Sequence, residues 1–237
     1  MLGKIHKIES LATHDGGGLR VAVFMQGCDL RCCYCHNSDS WEGEANLTLS
    51  TDELLQKLVK FKPYFRNGGG VTFTGGEPLK QAIFLTDVLK KLGKNGISAA
   101  IDTACPVLND GVKEVYNLCD FVIADLKFYT KEQYIKYTGA DIFNTVLQTL
   151  DYLNQINKRV ILRTVIVPNI NDTSEDILNY ATVARRYGNI KEYELKPFHT
   201  MGFSKYETLG IKNPLENTRG MDLAKMKELE KILIGEK

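Results

Sequence analysis

The sequence predicts an α/β fold in which six parallel strands and their helices form a partial (β/α)6 barrel of the TIM-barrel type. The first observation is that short β-branched runs alternate with longer segments of helical periodicity, and parallel strands need such crossover connections. The second is that cysteine or polar residues follow nearly every run, as on the carboxyl-terminal rim of a barrel. An open doubly wound sheet would concentrate them at one switch point.

Six apolar runs are the predicted strands, and they comprise residues 20–27, 70–76, 97–104, 120–126, 159–167 and 193–198. Rim residues follow five of them, in chain order Cys28 with its neighbours, Gly75 to Glu77, Asp102 with Thr103, Asp125 with Lys127, and His199. Arg163 lies within the fifth run, and the pattern leaves the direction of its side chain open. We therefore expect one functional rim with contributions from successive strands.

Two of the intervening helices carry clear end signals. Ser50 with Glu53 predicts a capping box at the start of a helix. The apolar face of that helix comprises Leu54, Leu55, Leu58 and Val59. Thr173 with Asp176 predicts a second helix, which the pattern extends to Gly188 as its C-terminal cap.

Composition is typical of an ordinary soluble enzyme, with 43% hydrophobic residues, 25% charged residues and a net charge of +1 over 237 residues. The scattered Lys and Arg residues predict neither a nucleic-acid surface nor attraction to an anionic membrane. The N-terminus lacks the apolar core of a signal peptide, and no apolar run approaches the roughly 20 residues that cross a bilayer. No linker or exact repeat divides the chain, so we expect residues 1–237 to form one cytoplasmic, monomeric domain.

Four of the six cysteines fall within the run CDLRCCYC, from Cys28 to Cys35. In a reducing compartment such thiols are more often metal ligands or redox groups than disulfides. Cys28, Cys32 and Cys35 can reach three corners of a cubane and leave its fourth iron open to a substrate or cofactor, whereas four thiolates suit electron transfer. Cys33 is interpreted as a bystander. The alternatives are a plain iron–sulfur electron carrier or a structural zinc site on all four sulfurs, although such zinc sites usually pair cysteines that lie apart.

Several motifs resemble the radical S-adenosylmethionine (SAM) superfamily and, within it, the activating enzymes of glycyl-radical enzymes. The motif C-x3-C-x-aromatic-x-C, formed by Cys28, Cys32, Tyr34 and Cys35, is followed by the strand-ending TGGEPL. The matching runs, in family order over nearly the whole chain, are HDGGGLR, FMQGCDLRCCYCHNSDSW, GGGVTFTGGEPL, IDTA, VIADLK, ILRTVIVPN and KPFHTMG. Two departures are the GGG at 16–18, where a proline is usual, and Ala104–Cys105, where Asn-Gly is usual.

This resemblance implies an oxygen-sensitive activase. In such enzymes SAM chelates the open iron of a 4Fe-4S cluster, and one electron splits it into methionine and a 5′-deoxyadenosyl radical, which takes a hydrogen atom from a backbone glycine of a partner enzyme. Residues 36–70 contain no cysteine, whereas many activases carry extra clusters there, which favours pyruvate formate-lyase as the partner and a flavodoxin or ferredoxin as the reductant. The alternatives are another glycyl-radical enzyme or a small-molecule substrate.

The resemblance also implies roles for individual residues. Cys28, Cys32 and Cys35 would hold the cluster, with Lys127 as a further catalytic residue. The SAM-binding residues would be Tyr34, Cys35, His36, Gly75, Gly76, Glu77, Asp102, Asp125, Leu126, Lys127, Arg163 and His199. A monovalent cation, sodium or potassium, would be held by Asp102, Thr103, Asp125 and the carbonyl of Ile123. Asp15, which precedes the three glycines, would contact the target polypeptide.

Overall fold

The computed structural model describes residues 1–13 and 15–235. His14, in the HDGGG run, lies outside the described residues. In the described part of the chain, an eight-stranded sheet has the order β3-β1-β2-β4-β5-β6-β7-β8. The strands are β1 (Leu2–Ala12), β2 (Arg20–Met25), β3 (Leu47–Ser50), β4 (Gly70–Gly75), β5 (Ala99–Thr103), β6 (Phe121–Asp125), β7 (Arg159–Ile166) and β8 (Ile190–Pro197). The sheet ends at β3 and β8, so the barrel is open, and the prediction of a partial barrel is confirmed.

The six strands that the sequence predicts are β2 and β4 to β8, and neighbours among them pair in parallel. The sequence pattern does not predict β1 and β3, which pair with each other in an antiparallel ladder while β1 also pairs with β2. Both lie toward the edge of the sheet, and much of β1 and β3 is exposed. A half-exposed edge strand lacks the continuous apolar run that marks a buried parallel strand.

The helices that the structure describes pack on the sheet. They are α1 (Thr51–Val59), α2 (Ala82–Lys94), α3 (Asp110–Leu118), α4 (Lys131–Thr138), α5 (Phe143–Gln155), α6 (Ser174–Ala184), α7 (Phe203–Thr208) and α8 (Leu223–Ile234). Among the described residues, no helix is both long enough and apolar enough to cross a membrane.

The predicted helix starts are confirmed, but one predicted end is wrong. Capping boxes begin α1 at Ser50 and α6 at Thr173. The second helix does not extend to Gly188, because it ends at Ala184 and a tight turn follows in which the Tyr187 amide donates to the Ala184 carbonyl at 3.1 Å. Tyr187 is 7% exposed, so packing of its ring in the core accompanies the early end of the helix.

The register of the parallel strands brings the predicted rim residues to one edge. Gly75 on β4 pairs with the last residue of β2. Asp102 on β5 pairs with Ile123 on β6, and Asp125 pairs with Arg163 on β7. Because parallel strands end on the same side, these residues meet above the barrel core.

Candidate active site

A cavity of about 270 Å³ opens at the carboxyl ends of the parallel strands. Most of the residues that the sequence singles out line this active-site cavity. They are Cys28, Cys32, Tyr34, Cys35, His36, Gly75, Gly76, Asp102, Thr103, Asp125, Lys127 and Arg163. The expectation that successive strands contribute to one rim is therefore met by the geometry.

Backbone hydrogen bonds hold the cysteine loop beside this cavity. The Cys28 amide donates to the Trp41 carbonyl at 3.0 Å, and the Cys33 amide donates to the Tyr137 carbonyl at 2.8 Å. The Tyr206 hydroxyl donates to the Cys35 carbonyl at 3.1 Å. The loop is thus fastened to the segment after it, to α4 and to α7, which keeps three thiols at one wall of the cavity.

All six cysteines lie in the described part of the chain and are unbridged. Burial raises the pKa of Cys28 to about 11 and that of Cys32 to about 12. Burial also raises the pKa of Cys35, and hydrogen bonding from the Trp41 side chain acts in the opposite direction. Ligation requires thiolates, so iron binding would release protons from these thiols.

The donor arrangement suits a cluster better than a single ion. Among the described residues, no three His, Cys, Asp or Glu side chains converge to hold one metal ion. A zinc site needs its sulfurs about 2.3 Å from one metal, whereas the thiolates of a cubane bind separate irons. Cys33 faces a different small pocket, beside Phe198 and Phe203. Cys35 also lines that pocket, so the interpretation of Cys33 as a bystander stays a prediction.

Gly75 and Gly76 are required by close packing within the protein. Gly75 has a φ of +105°, and a Cβ there would lie 2.6 Å from the Met25 amide nitrogen. A Cβ on Gly76 would lie 2.4 Å from the Gly27 carbonyl oxygen. The glycines therefore let β4 and the following turn approach β2 and the start of the cysteine loop, while their own backbone faces the cavity.

Glu77 stands behind the cavity wall rather than on it. Its carboxylate accepts hydrogen bonds from the Leu79 amide at 3.0 Å, the Thr103 hydroxyl at 2.7 Å and the Ala104 amide at 3.0 Å. Burial nevertheless raises the pKa of Glu77 to about 7, because these hydrogen bonds offset only part of the cost of desolvating the charge. Glu77 also ties the end of β4 to the end of β5.

Two cations, Lys127 and Arg163, form ion pairs at the cavity floor. Asp125 and Lys127 were predicted to share a face, and their side chains meet at 2.8 Å. Arg163 turns toward the site, with a guanidinium nitrogen 3.4 Å from Asp102 and another 3.0 Å from Glu194. Burial would lower the pKa of Lys127, but Asp125 and other neighbours together raise it well above its usual value.

Asp102 receives polar contacts from two sides. Thr74 donates a hydrogen bond to it at 2.9 Å, and Arg163 lies against the same oxygen. Burial raises the pKa of Asp102 to about 6, although Arg163 favours its charged form. The expected cation site on Asp102, Thr103, Asp125 and the Ile123 carbonyl stays a prediction, because both aspartates already face protein cations.

The remaining predicted residues lie outside the cavity lining. His199 packs edge-on against His36, with ring centroids 4.8 Å apart. Ile123 and Leu126 are fully buried, and the Leu126 amide donates to the Arg163 carbonyl at 2.9 Å. The Asp15 carbonyl accepts a hydrogen bond from the Thr72 hydroxyl at 2.7 Å, and Thr72 lies on β4 two residues before Thr74. Leu126 and Ile123 can therefore act only through their backbones.

Sequence reasoning missed several residues that shape the site. Trp41 lines the cavity, and Arg31 packs over its ring while donating to the Cys28 carbonyl at 2.8 Å. Tyr206 and Glu194 also contact site residues, as described above. Trp41 is the one tryptophan in the sequence and follows the cysteine motif closely, which is a usable signal. Tyr206 and Glu194 carry no such signal, because their contacts depend on the fold.

Comparisons with known proteins agree with this geometry. A family model described as a 4Fe-4S single cluster domain matches residues 14–141. The pyruvate formate-lyase-activating enzyme of Clostridium pasteurianum is 42% identical over 236 residues, or 98% of each chain. The enzyme of the same name from Staphylococcus epidermidis is 37% identical over 235 residues, which covers 95% of this chain and 93% of that protein.

Solved structures show the same fold. A domain of pyruvate-formate lyase-activating enzyme from Bacteroides vulgatus matches with a TM-score of 0.58 and 24% identity, over 70% of this chain and 94% of that chain. Streptococcus suis SuiB bound to S-adenosylmethionine matches with a TM-score of 0.68 and 17% identity, over 88% of this chain and 45% of that one.

Three thiols beside a cavity on the rim of an open barrel are the arrangement of a radical SAM enzyme, which uses a 4Fe-4S cluster and SAM as cofactors. The alternatives of a structural zinc site and a plain electron carrier are set aside on this ground. Because the likeness to the clostridial and staphylococcal relatives extends over nearly the full length, the chain belongs to the pyruvate formate-lyase-activating enzyme family. The family resemblance of the sequence motifs is confirmed.

Proposed function

We propose that this enzyme removes one hydrogen atom from a backbone glycine of pyruvate formate-lyase and leaves a stored glycyl radical on that partner. The observation that carries the proposal is the cysteine loop, which presents three thiols to a cavity lined by the ends of successive parallel strands. The relatives named for this activity support the choice of partner. We further propose that the chain acts as a single-domain monomer.

The residues present fit the cofactors. Cys28, Cys32 and Cys35 would ligate three irons and leave the fourth to SAM. When bound, the reduced cluster and SAM together supply the 5′-deoxyadenosyl radical that takes the hydrogen atom. Tyr34 lines the cavity, and its hydroxyl is buried without a hydrogen-bond partner among the described residues. A ligand in the cavity would satisfy this polar atom.

The charged side chains would orient SAM. The Lys127 ammonium borders the cavity and can pair with the SAM carboxylate, while Asp125 holds it in place at 2.8 Å. Glu77 lies behind the glycine turn, where its negative charge would offset the SAM ammonium. Arg163 would act as a positioning residue, because it fixes Asp102 against β7 rather than leaving it mobile.

The target glycine would reach this site through the open side of the barrel. A loop of the partner needs a lateral entrance, which the unclosed sheet provides between its two edge strands. Asp15 would contact that loop from the segment between β1 and β2. The Thr72 hydrogen bond to the Asp15 carbonyl supports this placement, since it fixes the loop against the inner face of β4.

The electron would come from a separate protein. Besides the three proposed cluster ligands, the sequence has Cys33, Cys105 and Cys119, and the last two are buried. These cannot supply a second cluster of the usual four thiolates. We therefore propose a flavodoxin or ferredoxin as the reductant. We also propose a cytoplasmic location, since ligand thiols persist in reducing compartments.

The test is to reconstitute the enzyme anaerobically with iron and sulfide, reduce it, and mix it with SAM and pyruvate formate-lyase. We expect release of 5′-deoxyadenosine and a glycine-centred doublet by electron paramagnetic resonance. A partner whose target glycine is replaced by alanine serves as the control and should give no doublet. A doublet with a different glycyl-radical enzyme but not with pyruvate formate-lyase would refute the partner, and absence of 5′-deoxyadenosine would refute the chemistry.

A further inference from the structure

A second cavity, of about 450 Å³, adjoins the active-site cavity. We name it the outer cavity. Cys32 and Trp41 line both cavities, so these two residues form a shared wall. A molecule in the outer cavity would therefore lie next to a proposed cluster ligand without entering the space that SAM and the target glycine need.

The aromatic floor of the outer cavity is linked to the proposed cluster ligands. The Tyr206 hydroxyl donates to the Cys35 carbonyl at 3.1 Å, and the Trp41 carbonyl accepts from the Cys28 amide at 3.0 Å. The two rings contact each other edge to face, with centroids 5.9 Å apart. The Tyr206 side chain is thus one hydrogen bond from Cys35, and the Trp41 backbone is one hydrogen bond from Cys28, which gives an electron a short route across the wall.

The mouth of the outer cavity has the chemistry of a docking surface. Leu209 and Ile211 border it and are 46% and 37% exposed. Of the charged residues that line it in the described part of the chain, Arg31 and Glu42 form an ion pair with each other, and Lys212 adds one positive charge. An apolar patch beside one further positive charge suits a partner with an acidic group next to an apolar contact point.

We propose that the outer cavity docks the reductant, and that this reductant is an acidic flavodoxin whose exposed flavin edge faces Trp41 and Tyr206. The proposal rests on the proposed function. A concave site with an aromatic floor fits the flat edge of a flavin ring. The anionic flavin hydroquinone gives up one electron and becomes the neutral semiquinone. The oxidised cluster accepts that electron, and its positive charge falls by one. No proton transfer is needed to balance this step.

The test compares two reductants on the same reconstituted enzyme. Lys212→Glu reverses one charge at the mouth, and Leu209→Asn removes apolar contact without adding charge. Leu178→Asn is the matched control, because Leu178 on α6 is 49% exposed and lies away from the outer cavity. Stopped-flow absorbance would follow semiquinone formation and cluster reduction with photoreduced flavodoxin, and parallel reactions would use dithionite.

We expect Lys212→Glu to lower the bimolecular rate with flavodoxin by about tenfold at low salt and to reduce its salt dependence. Leu209→Asn should lower the rate by about threefold, since a few contacts carry most docking energy. Leu178→Asn should leave it unchanged, and all variants should react normally with dithionite. Unchanged flavodoxin rates in both mouth variants would overturn the docking site. If dithionite-reduced enzyme forms no glycyl radical, the proposed function fails instead.

Discussion

Arg20 is a buried cation whose replacement tests how the barrel holds its functional loop. Its side chain is fully buried and donates to the Thr72 hydroxyl at 2.7 Å, the Gly68 carbonyl at 2.8 Å and the Val71 carbonyl at 2.7 Å. Thr72 in turn donates to the Asp15 carbonyl. Arg20 therefore joins the start of β2 to β4 and, through one hydroxyl, to the loop that we expect to receive the target.

The magnitude follows from the hydrogen bonds that lysine cannot make. In Arg20→Lys one ammonium can replace at most one of the three contacts well, which leaves two lost bonds from a charged donor. Each is worth about 1.5–3 kcal/mol, so we expect a loss of at least about 3 kcal/mol. For a domain of this size that corresponds to a fall of about 6–12 °C in Tm.

Arg159 offers a matched control for the same substitution. Both guanidinium groups lie 5.0 Å from the centroid of the Phe121 ring, but the Arg159 side chain is 44% exposed and pairs with Glu192. Arg159→Lys should therefore cost about 0–1 kcal/mol. Urea unfolding of the two cluster-free variants measures the difference. A cost below about 1 kcal/mol for Arg20→Lys would refute the reasoning that its fixed hydrogen bonds stabilise this end of the barrel.

Three further predictions concern the site and its support. The raised pKa of Glu77, about 7 against an ordinary 4.5, means that the unfolded chain loses this proton first, so stability falls as pH rises from about 4.5 to 7. Over that pH window the free energy of unfolding of the cluster-free protein, measured with urea, should fall by about 3 kcal/mol relative to that of Glu77→Gln. Equal pH dependence of the two unfolding free energies would contradict this. Cys105 has a φ of +55°, a conformation in which glycine avoids the steric cost that a Cβ brings. In urea unfolding, Cys105→Gly should therefore be about 1 kcal/mol more stable than Cys105→Ala, and the reverse order would show that the backbone is not strained there. Cys33→Ser should keep a full complement of cluster iron on reconstitution while Cys35→Ser loses iron and charge-transfer absorbance; equal losses would show that Cys33 is also a ligand.

The parallel part of the fold could be predicted from the sequence because buried parallel strands appear there as continuous apolar runs. The edge strands β1 and β3 could not, since half of their residues face solvent and antiparallel pairing is decided by the partner strand. The sequence pattern also did not predict the residue at which α6 ends. Gly188 is a plausible cap by residue type, but the placement of the Tyr187 ring in the core is a tertiary effect.

The candidate site was predictable where a residue type itself limits the chemistry. The cysteine spacing and the glycine–glutamate run at the end of β4 belong to this kind. The resemblance includes Arg163, but its position within β7 does not reveal that its guanidinium lies between Asp102 and Glu194. Trp41 and Tyr206 join the cysteine loop only after folding, since α7 lies far from that loop in the sequence.

The charge of the cavity rim also cannot be predicted from the overall amino-acid composition. The chain has a net charge of +1, yet in the described part of the chain four rim carboxylates, those of Glu77, Asp102, Asp125 and Glu194, face three cations, Lys127, Arg163 and Lys196. Burial raises the pKa of Glu77 and Asp102, so part of this negative charge is suppressed. A cationic sulfonium cofactor would favour the ionised form of both groups, and its binding would be strengthened by the charge that it induces. The site is therefore arranged for a positively charged ligand, with Lys127 reserved for the one anionic group that this ligand carries.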